Sequence, residues 1–122
     1  MRVVVVEDDI QLRSALAVFF RSIGAEVLAQ PGDGQEALDV LCKLQPDLIL
    51  TDCQMPRLDG ISLVRRLRAR GDHTPIIMLS GQTDPGVMKL AIDAGVNRYL
   101  SKPLSAPLLN SAIAQTLKST AA

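Results

Sequence analysis

The chain has 122 residues, enough for one domain with a substantial hydrophobic core. Its 13 basic and 13 acidic residues cancel, so we expect neither a nucleic-acid footprint nor a polybasic membrane patch. No apolar run approaches the roughly 20 residues of a membrane helix. Because Met1-Arg2 leads directly into a strand-like run, we also expect no signal peptide, and a cytoplasmic location.

Strand-like and helix-like patterns alternate along the whole chain. Short apolar runs predict five strands, at Arg2–Val6, Glu26–Ala29, Leu48–Asp52, Pro75–Leu79 and Arg98–Ser101. Apolar residues at helical spacing predict a helix after each strand, with the capping residues Asp9, Asp33, Asp59, Asp84 and Ser105. Five βα units in succession favour an α/β fold, with a parallel sheet covered by helices on both faces.

Two helices have apolar stripes that predict which side chains reach the core. In the first helix the stripe comprises Leu12, Ala15, Leu16, Phe19 and Ile23. In the last helix it comprises Leu108, Leu109, Ala112, Ile113 and Leu117. The outer face of the last helix is almost uncharged, which is compatible with docking against another surface or with a solvent face of small residues.

Polar residues stand where four of the predicted strands end. Glu7 and Asp8 follow the first strand, Asp52 ends the third, Ser80 follows the fourth, and Lys102 follows the fifth. The carboxyl ends of parallel strands share one edge of a sheet, where open α/β folds bind ligands. Crowded carboxylates repel one another, and oxygen ligands without His or Cys select Mg²⁺ or Mn²⁺. The sequence therefore predicts a metal site at this edge.

The same residues have the chemistry for phosphoryl transfer. The Asp52 carboxylate can act as a nucleophile and form an acyl phosphate. A metal ion and Lys102 would neutralise the charge that develops during transfer, and Ser80 offers a hydroxyl to a phosphoryl oxygen. Cys42 and Cys53 have no histidines nearby, so we expect reduced thiols rather than a zinc site, with Cys53 packing in the core.

In order and spacing, these motifs resemble the receiver domain of two-component response regulators. The resemblance covers the whole chain and rests on Glu7-Asp8, Asp52-Cys53-Gln54-Met55-Pro56, Asp59-Gly60, Ser80-Gly81 and Tyr99 ahead of Lys102-Pro103. It implies a flavodoxin-like (βα)5 three-layer sandwich with strand order 2-1-3-4-5. It also implies that residues 1–122 form a single receiver domain, with no output domain in this chain.

The resemblance further implies a role for each motif residue. Asp52 would accept a phosphoryl group from a histidine kinase or a histidine phosphotransfer domain. Magnesium would be held by Asp8, Asp52 and the backbone carbonyl of Gln54, with Glu7 acting through water. Ser80 and Lys102 would contact the phosphoryl group.

The family also switches between two states. By the resemblance, the Ser80 hydroxyl would be drawn to the phosphoryl group, and the Tyr99 ring would then turn inward. This remodels the face made by the fourth helix, fifth strand and fifth helix, which family members use to meet a second copy or an adjacent domain. Pro103, Gly60 and Gly81 are expected to support the site, with a cis peptide before Pro103.

Two other functions are alternatives to the receiver. A pseudo-receiver would use the fold for interactions without phosphorylation, but such domains usually lack a key residue. A phosphatase would need a general-acid Asp two residues after the nucleophile, and Gln54 stands there. We therefore expect a signalling module rather than an enzyme. The resemblance implies that Gln54 and Gln82 occupy positions that tune phosphoryl hydrolysis in this family, where a long amide side chain would either block water or orient it.

Overall fold

The structure is a computed structural model that describes residues 1–81 and 84–120. Its strands are β1 (Arg2–Val6), β2 (Glu26–Ala29), β3 (Leu48–Asp52), β4 (Ile76–Ser80) and β5 (Arg98–Ser101). Its helices are α1 (Ile10–Ser22), α2 (Gly34–Leu41), α3 (Gly60–Ala69), α4 (Pro85–Ala94) and α5 (Ala106–Thr120). The alternation predicted from the sequence is confirmed. β4 differs by one residue, because Ser80 still pairs with β5 through Ser101.

The five strands form one parallel sheet in the order β2-β1-β3-β4-β5, as expected. β3 and β4 lie at the centre, and every residue of both is buried. The edge strands β2 and β5 have no buried residue. This gradient explains why β3 and β4 read as continuous apolar runs, since both of their faces are covered by helices.

Side chains alternate between two cores, one on each face of the sheet. Val4 and Val6 belong to a core built with α2, α3 and α4. Val3 and Val5 belong to a second core built with α1 and α5. The result is the three-layer sandwich predicted above, in which the sheet holds the helices at fixed positions around the strand ends.

Asp residues begin four of the five helices. Side-chain oxygens of Asp9, Asp33, Asp59 and Asp84 accept backbone hydrogen bonds from the first turns of α1 to α4. Each cap satisfies a donor that the helix cannot satisfy internally. Gly95 ends α4 with φ 116°, a left-handed conformation that favours glycine.

Both predicted helix stripes were displaced in part. In α1 the buried residues are Leu16, Ala17 and Phe20, whereas Ala15 is exposed and Ile23 is 38% exposed. The prediction is confirmed at Leu16 and at the half-buried Leu12 and Phe19, which pack against the same core, so the buried face is the predicted one turned slightly towards Ala17 and Phe20. Phe19 and Phe20 are adjacent in the sequence, so helical spacing allows either of them to lie at the centre of the stripe. In the structure their rings meet edge to face at 5.4 Å.

The stripe of α5 also differs from the prediction. Leu108 is 49% exposed, while Thr116 is buried among the apolar residues. The Thr116 hydroxyl donates to the carbonyl of Ala112 at 2.7 Å, which satisfies its polar group within the helix. No helix among residues 1–81 and 84–120 is long and apolar enough to cross a membrane.

Candidate functional site

The carboxylates of Glu7, Asp8 and Asp52 meet at the carboxyl end of the sheet. The pairing of Val6 with Thr51 aligns the ends of β1 and β3, so the next residues of both strands come together. One oxygen from each carboxylate lies within 4.8 Å of the others. Glu7 and Asp52 are buried, at 1% and 6% exposure, whereas Asp8 is exposed. The cluster therefore has a buried floor and an open side.

Lys102 bridges the two buried carboxylates. Its Nζ lies 3.2 Å from Oε1 of Glu7 and 3.2 Å from Oδ2 of Asp52. Its backbone N–H donates to the carbonyl of Ser80 at 2.8 Å, which ties the loop after β5 to β4. The peptide between Lys102 and Pro103 is cis, as expected. Sequence reasoning placed Lys102 beside Asp52 but did not predict its contact with Glu7.

Burial sets the proton affinity of Glu7. Desolvation is the largest of the effects that raise its pKa from 4.5 to about 7; the neighbouring Asp8 and Asp52 carboxylates contribute to the rise, and the backbone N–H of Asp9 opposes it. For Lys102, burial lowers the pKa, but the charge of Asp52 and the contact with Glu7 outweigh it, so the net pKa is raised. One ammonium thus does not fully offset three clustered carboxylates.

This donor set fits a small divalent cation. It consists of carboxylate oxygens without a nitrogen or sulfur ligand, which suits Mg²⁺ or Mn²⁺. A divalent charge would also relieve the repulsion that raises the pKa of Glu7.

Asp52 has both carboxylate oxygens engaged at the end of β3. Oδ1 accepts from the backbone N–H of Cys53 at 2.8 Å, while Oδ2 faces Lys102. The same Cys53 N–H also donates to the carbonyl of Leu79 at 2.8 Å. These contacts fix the carboxylate in one orientation, with the oxygen that faces Lys102 directed towards the charged cluster.

The loop after β3 folds tightly against Asp52. The Gly60 N–H donates to the Cys53 carbonyl at 2.8 Å, and a Cβ at Gly60 would collide with the carbonyl oxygen of Asp52. The loop therefore requires glycine at position 60, which gives this expected supporting residue a steric reason. The Gln54 side chain, two residues after Asp52, is exposed.

Sequence reasoning missed a strained turn in this loop. Arg57 has φ 69°, and the N–H of Leu58 donates to the carbonyl of Pro56 at 2.8 Å, which closes a three-residue turn. Arg57 Nη1 reaches Oδ2 of Asp33, the α2 cap, at 3.3 Å. No sequence signal indicates this, because left-handed positions usually carry Gly, Asn or Asp. A Cβ at Gly34 would meet the Leu58 carbonyl, so the two loops pack closely.

The predicted switch residues lie on β4 and β5. Ser80 is buried at the end of β4, and Tyr99 is half-buried on β5, opposite Met78, where it packs against the core that includes α4. Gly81 is exposed, and a Cβ there would meet no atom of residues 1–80 or 84–120 within 4 Å. Gln82 lies outside the described residues.

Cys53 is buried directly after the end of β3. Burial raises the pKa of its thiol, and the charges of Asp52 and Asp59 add to this, while a hydrogen bond from the Ser80 hydroxyl acts in the opposite direction. Cys42 is exposed, and the structure has both cysteines as free thiols.

Residues 3–114 match the family described as the response regulator receiver domain, and the chain belongs to this family. The response regulator MprA of Mycolicibacterium vanbaalenii is 39% identical over 107 residues, which cover 86% of this chain and 45% of that protein. MprA of Mycobacterium leprae is 34% identical over 122 residues, covering 98% of this chain and 52% of the relative. The chain thus spans about half the length of the curated relatives it matches.

Solved receiver domains have the same architecture. The receiver domain of the Francisella response regulator 1452 is 32% identical, with a TM-score of 0.90 and 98% coverage of both chains. The receiver domain of the sensor histidine kinase PA1611 from Pseudomonas aeruginosa is 30% identical, with a TM-score of 0.87 and coverage of 96% of this chain and 97% of that one. That structure has a magnesium ion coordinated in its active-site cleft. The chain is therefore a receiver domain of two-component signalling with the flavodoxin-like fold.

Proposed function

We propose that this receiver accepts a phosphoryl group on Asp52 from a phosphohistidine of a histidine kinase or a histidine phosphotransfer domain. The observation that carries the proposal is the convergence of three carboxylates within 4.8 Å, with Lys102 3.2 Å from the acceptor oxygen. This arrangement collects a nucleophile, a cation site and a fixed positive charge on one edge of the sheet.

Asp8, Asp52 and the backbone carbonyl of Gln54 would hold magnesium, with Glu7 contributing through water. When bound, the ion supplies charge neutralisation for the phosphoryl oxygens during transfer. The acidic cluster supports this assignment, since its oxygens share one side of the sheet edge and Asp8 faces solvent. The contact between Glu7 and Lys102 keeps Glu7 oriented towards the cluster.

In the transfer step a carboxylate oxygen of Asp52 attacks the phosphorus of the phosphohistidine. The new oxygen–phosphorus bond forms as the phosphorus–nitrogen bond breaks, and its electron pair returns to the imidazole nitrogen. Lys102 neutralises charge on the phosphoryl oxygens as they approach. The hydrogen bond from the Cys53 N–H holds the carboxylate in line for attack.

Phosphorylation then acts on a two-state equilibrium. The Ser80 hydroxyl turns to the phosphoryl group, Tyr99 moves inward, and the face made by α4, β5 and α5 changes its shape. That face would dock a second copy or a neighbouring domain. A phosphoryl group can bias this equilibrium only by interacting more strongly with one state. Ser80 and Tyr99 lie on the neighbouring strands β4 and β5, which supports such a relay.

The alternatives fit the site less well. A pseudo-receiver would not need the acceptor, the acidic pair and the lysine together, yet all four side chains converge here. A phosphatase would need an acidic group at position 54 to donate a proton, and the exposed amide of Gln54 is not an acid at neutral pH. The domain therefore catalyses only its own phosphorylation and dephosphorylation and turns over no metabolite.

Incubation with Mg²⁺ and acetyl phosphate tests this function by intact-protein mass spectrometry. The expected result is one phosphate-sized mass gain that is stable in acid, labile in base and absent in Asp52→Asn. If the mass does not change and beryllofluoride, a phosphoryl mimic, produces no response, the domain is a pseudo-receiver. Sustained hydrolysis of acetyl phosphate would point to the phosphatase instead.

A further inference from the structure

We infer that Arg13, in the first turn of α1, is a positioning residue for the proposed magnesium site, because its guanidinium fixes the peptide group that leads into Asp8. Arg13 would act on the backbone of the loop between β1 and α1, and not as a ligand of the cation. The inference deepens the proposed function and rests on it, since it assumes that Asp8 binds the cation.

Arg13 holds the loop on both sides of Asp8. Its side-chain Nη1 donates to the backbone carbonyl of Glu7 at 3.1 Å. Its backbone N–H donates to the carbonyl of Asp9 at 2.8 Å. Asp8 lies between these two carbonyls, so a single residue fixes the chain before and after the exposed carboxylate.

The Glu7 carbonyl is the important one, because it shares a planar peptide group with the N–H of Asp8. A hydrogen bond that holds the carbonyl oxygen therefore also fixes the direction in which the chain enters Asp8. The rest of the loop has its own contacts. The Glu7 N–H donates to the Pro31 carbonyl at 3.2 Å, and the Asp9 N–H donates to Oε2 of Glu7 at 3.1 Å. Arg13 adds the bond at the peptide between Glu7 and Asp8.

Asp8 needs such support more than the other two carboxylates of the cluster. Glu7 and Asp52 are buried and both contact Lys102, whereas Asp8 is exposed. An exposed ligand on a mobile backbone loses conformational freedom when a cation binds, and this loss weakens binding. A backbone that is already fixed reduces the loss, in the way that groups around a metal site orient its ligands.

Gly32, in the loop before α2, leaves the space that the guanidinium of Arg13 occupies. A Cβ at Gly32 would lie 2.6 Å from Nη1 of Arg13, whereas Oε2 of Glu36 would be at an ordinary contact distance of 3.9 Å. Gly32 does not have the positive φ that favours glycine. An alanine at position 32 therefore fits the backbone and displaces the end of the Arg13 side chain without changing its charge.

The charge of Arg13 and its hydrogen bond have opposite effects on cation binding. A guanidinium near the cluster repels a divalent cation, so the loss of its charge alone would tighten Mg²⁺ binding. The loss of its hydrogen bond to Glu7 frees the peptide before Asp8 and should weaken Mg²⁺ binding. The direction of the change therefore shows which of the two effects dominates.

The test is a Mg²⁺ titration of isotope-labelled protein, followed by NMR at the backbone amides of Asp8 and Asp9. Arg13→Met keeps an apolar stem but has no donor, and it should raise the Mg²⁺ dissociation constant by roughly threefold to tenfold. Gly32→Ala should raise it by a similar factor although the arginine is still present. Arg21→Met, at the exposed arginine in the last turn of α1, is the matched control and should leave it unchanged.

The metal-free protein provides a second measurement that a general loss of stability would not reproduce. The amide nitrogen of Asp8 is bonded to the carbonyl carbon of Glu7, so its chemical shift reports the hydrogen bond from Arg13. That shift should change in the same direction in Arg13→Met and in Gly32→Ala, and it should stay at the wild-type value in Arg21→Met.

The double variant of Arg13→Met and Gly32→Ala shows whether the two changes act through the same bond. If they do, Gly32→Ala has no further effect once Arg13 is replaced. Additive losses of affinity, or Mg²⁺ binding in Arg13→Met that is as tight as in wild type or tighter, would overturn the inference. In those cases wild-type protein still binds Mg²⁺, so the proposed function stands. If wild-type protein does not bind Mg²⁺, the proposed metal site itself fails.

Discussion

The acidic end of the sheet and helix α4 lie side by side but are built in opposite ways. At the acidic end Glu7 and Asp52 are buried and held by Lys102, and Gly60 packs directly on the backbone of Asp52. In α4 only Ala91 is buried. One region is held by buried charged contacts and close backbone packing, whereas the other buries a single residue.

This difference matches the two tasks of the proposed function, phosphoryl transfer and the switching of a surface. Phosphoryl transfer needs groups fixed to within a fraction of an ångström, which a packed sheet edge supplies. A surface that changes shape needs few buried contacts, so that two arrangements differ by little free energy. The exposed Met88, Leu90 and Ile92 of α4 indicate that its apolar residues are not committed to the core.

The largest expected effect comes from breaking the packing of the acidic end. Gly60→Ala places a Cβ against the Asp52 carbonyl oxygen, which is backbone and cannot move aside. We expect a loss of about 2–4 kcal/mol in the free energy of unfolding, measured with urea. Gly81→Ala is the matched control, because a Cβ there meets no atom of the described part of the chain within 4 Å, and it should stay within about 0.5 kcal/mol of wild type. Equal losses of unfolding free energy in Gly60→Ala and Gly81→Ala would show that the loop after β3 has room for a Cβ at position 60.

The second prediction concerns the protonation of Glu7 at the acidic end of the sheet. The pKa of Glu7 in the folded protein is raised from 4.5 to about 7, chiefly by burial. Between these values the folded state keeps a proton that the unfolded chain has lost, so stability should fall as pH rises through this window. With chelator present, Glu7→Gln should flatten the fall seen in urea unfolding between pH 4.5 and 7.

The control for that experiment is Glu26→Gln, which removes an exposed carboxylate at the sheet edge. Its stability should follow the wild-type pH profile. Mg²⁺ should stabilise wild-type protein more at pH 8 than at pH 5, because the metal competes with protons for the cluster. A wild-type profile that rises from pH 4.5 to 7 without metal would contradict the buried environment of Glu7.

The third prediction concerns the exchange of backbone amide hydrogens in helix α4. Amide hydrogen exchange should be faster along α4 than along α1, which buries Leu16, Ala17 and Phe20. The two helices have similar lengths, 10 and 13 residues, so we expect burial rather than length to set the difference in exchange rate. Equal protection of their central turns would mean that α4 is anchored more firmly than its burial indicates.

The acidic end of the sheet can be predicted from the sequence more fully than helix α4 can. Strand ends are read from abrupt changes between apolar and polar residues, and parallel pairing then brings Glu7, Asp52 and Lys102 together without further information. For this reason the sheet order and the convergence of the charged residues follow from pattern and resemblance.

Contacts between loops have no such pattern. The left-handed turn at Arg57 and the close approach of Gly34 to Leu58 depend on how two loops pack, which residue type alone does not indicate. The rotation of the α1 stripe has a similar cause, because the consecutive Phe19 and Phe20 allow either orientation until the sheet selects one. Local spacing defines a face only to within about one residue.

The smallest effect lies in the contact between the two loops beside the site. The Asp33 carboxylate caps α2 through the Glu36 N–H at 2.8 Å and pairs with Arg57 at 3.3 Å, where the Arg57 side chain is 63% exposed. A cap contributes about 1 kcal/mol, whereas an exposed ion pair contributes much less. Asp33→Asn keeps the cap and should cost under about 0.5 kcal/mol, while Asp33→Ala should cost about 1 kcal/mol in urea unfolding. If Asp33→Asn and Asp33→Ala lose the same free energy of unfolding, the stabilisation comes from the ion pair with Arg57 rather than from the cap. The shape of the loop after β3 would then depend on its contact with α2.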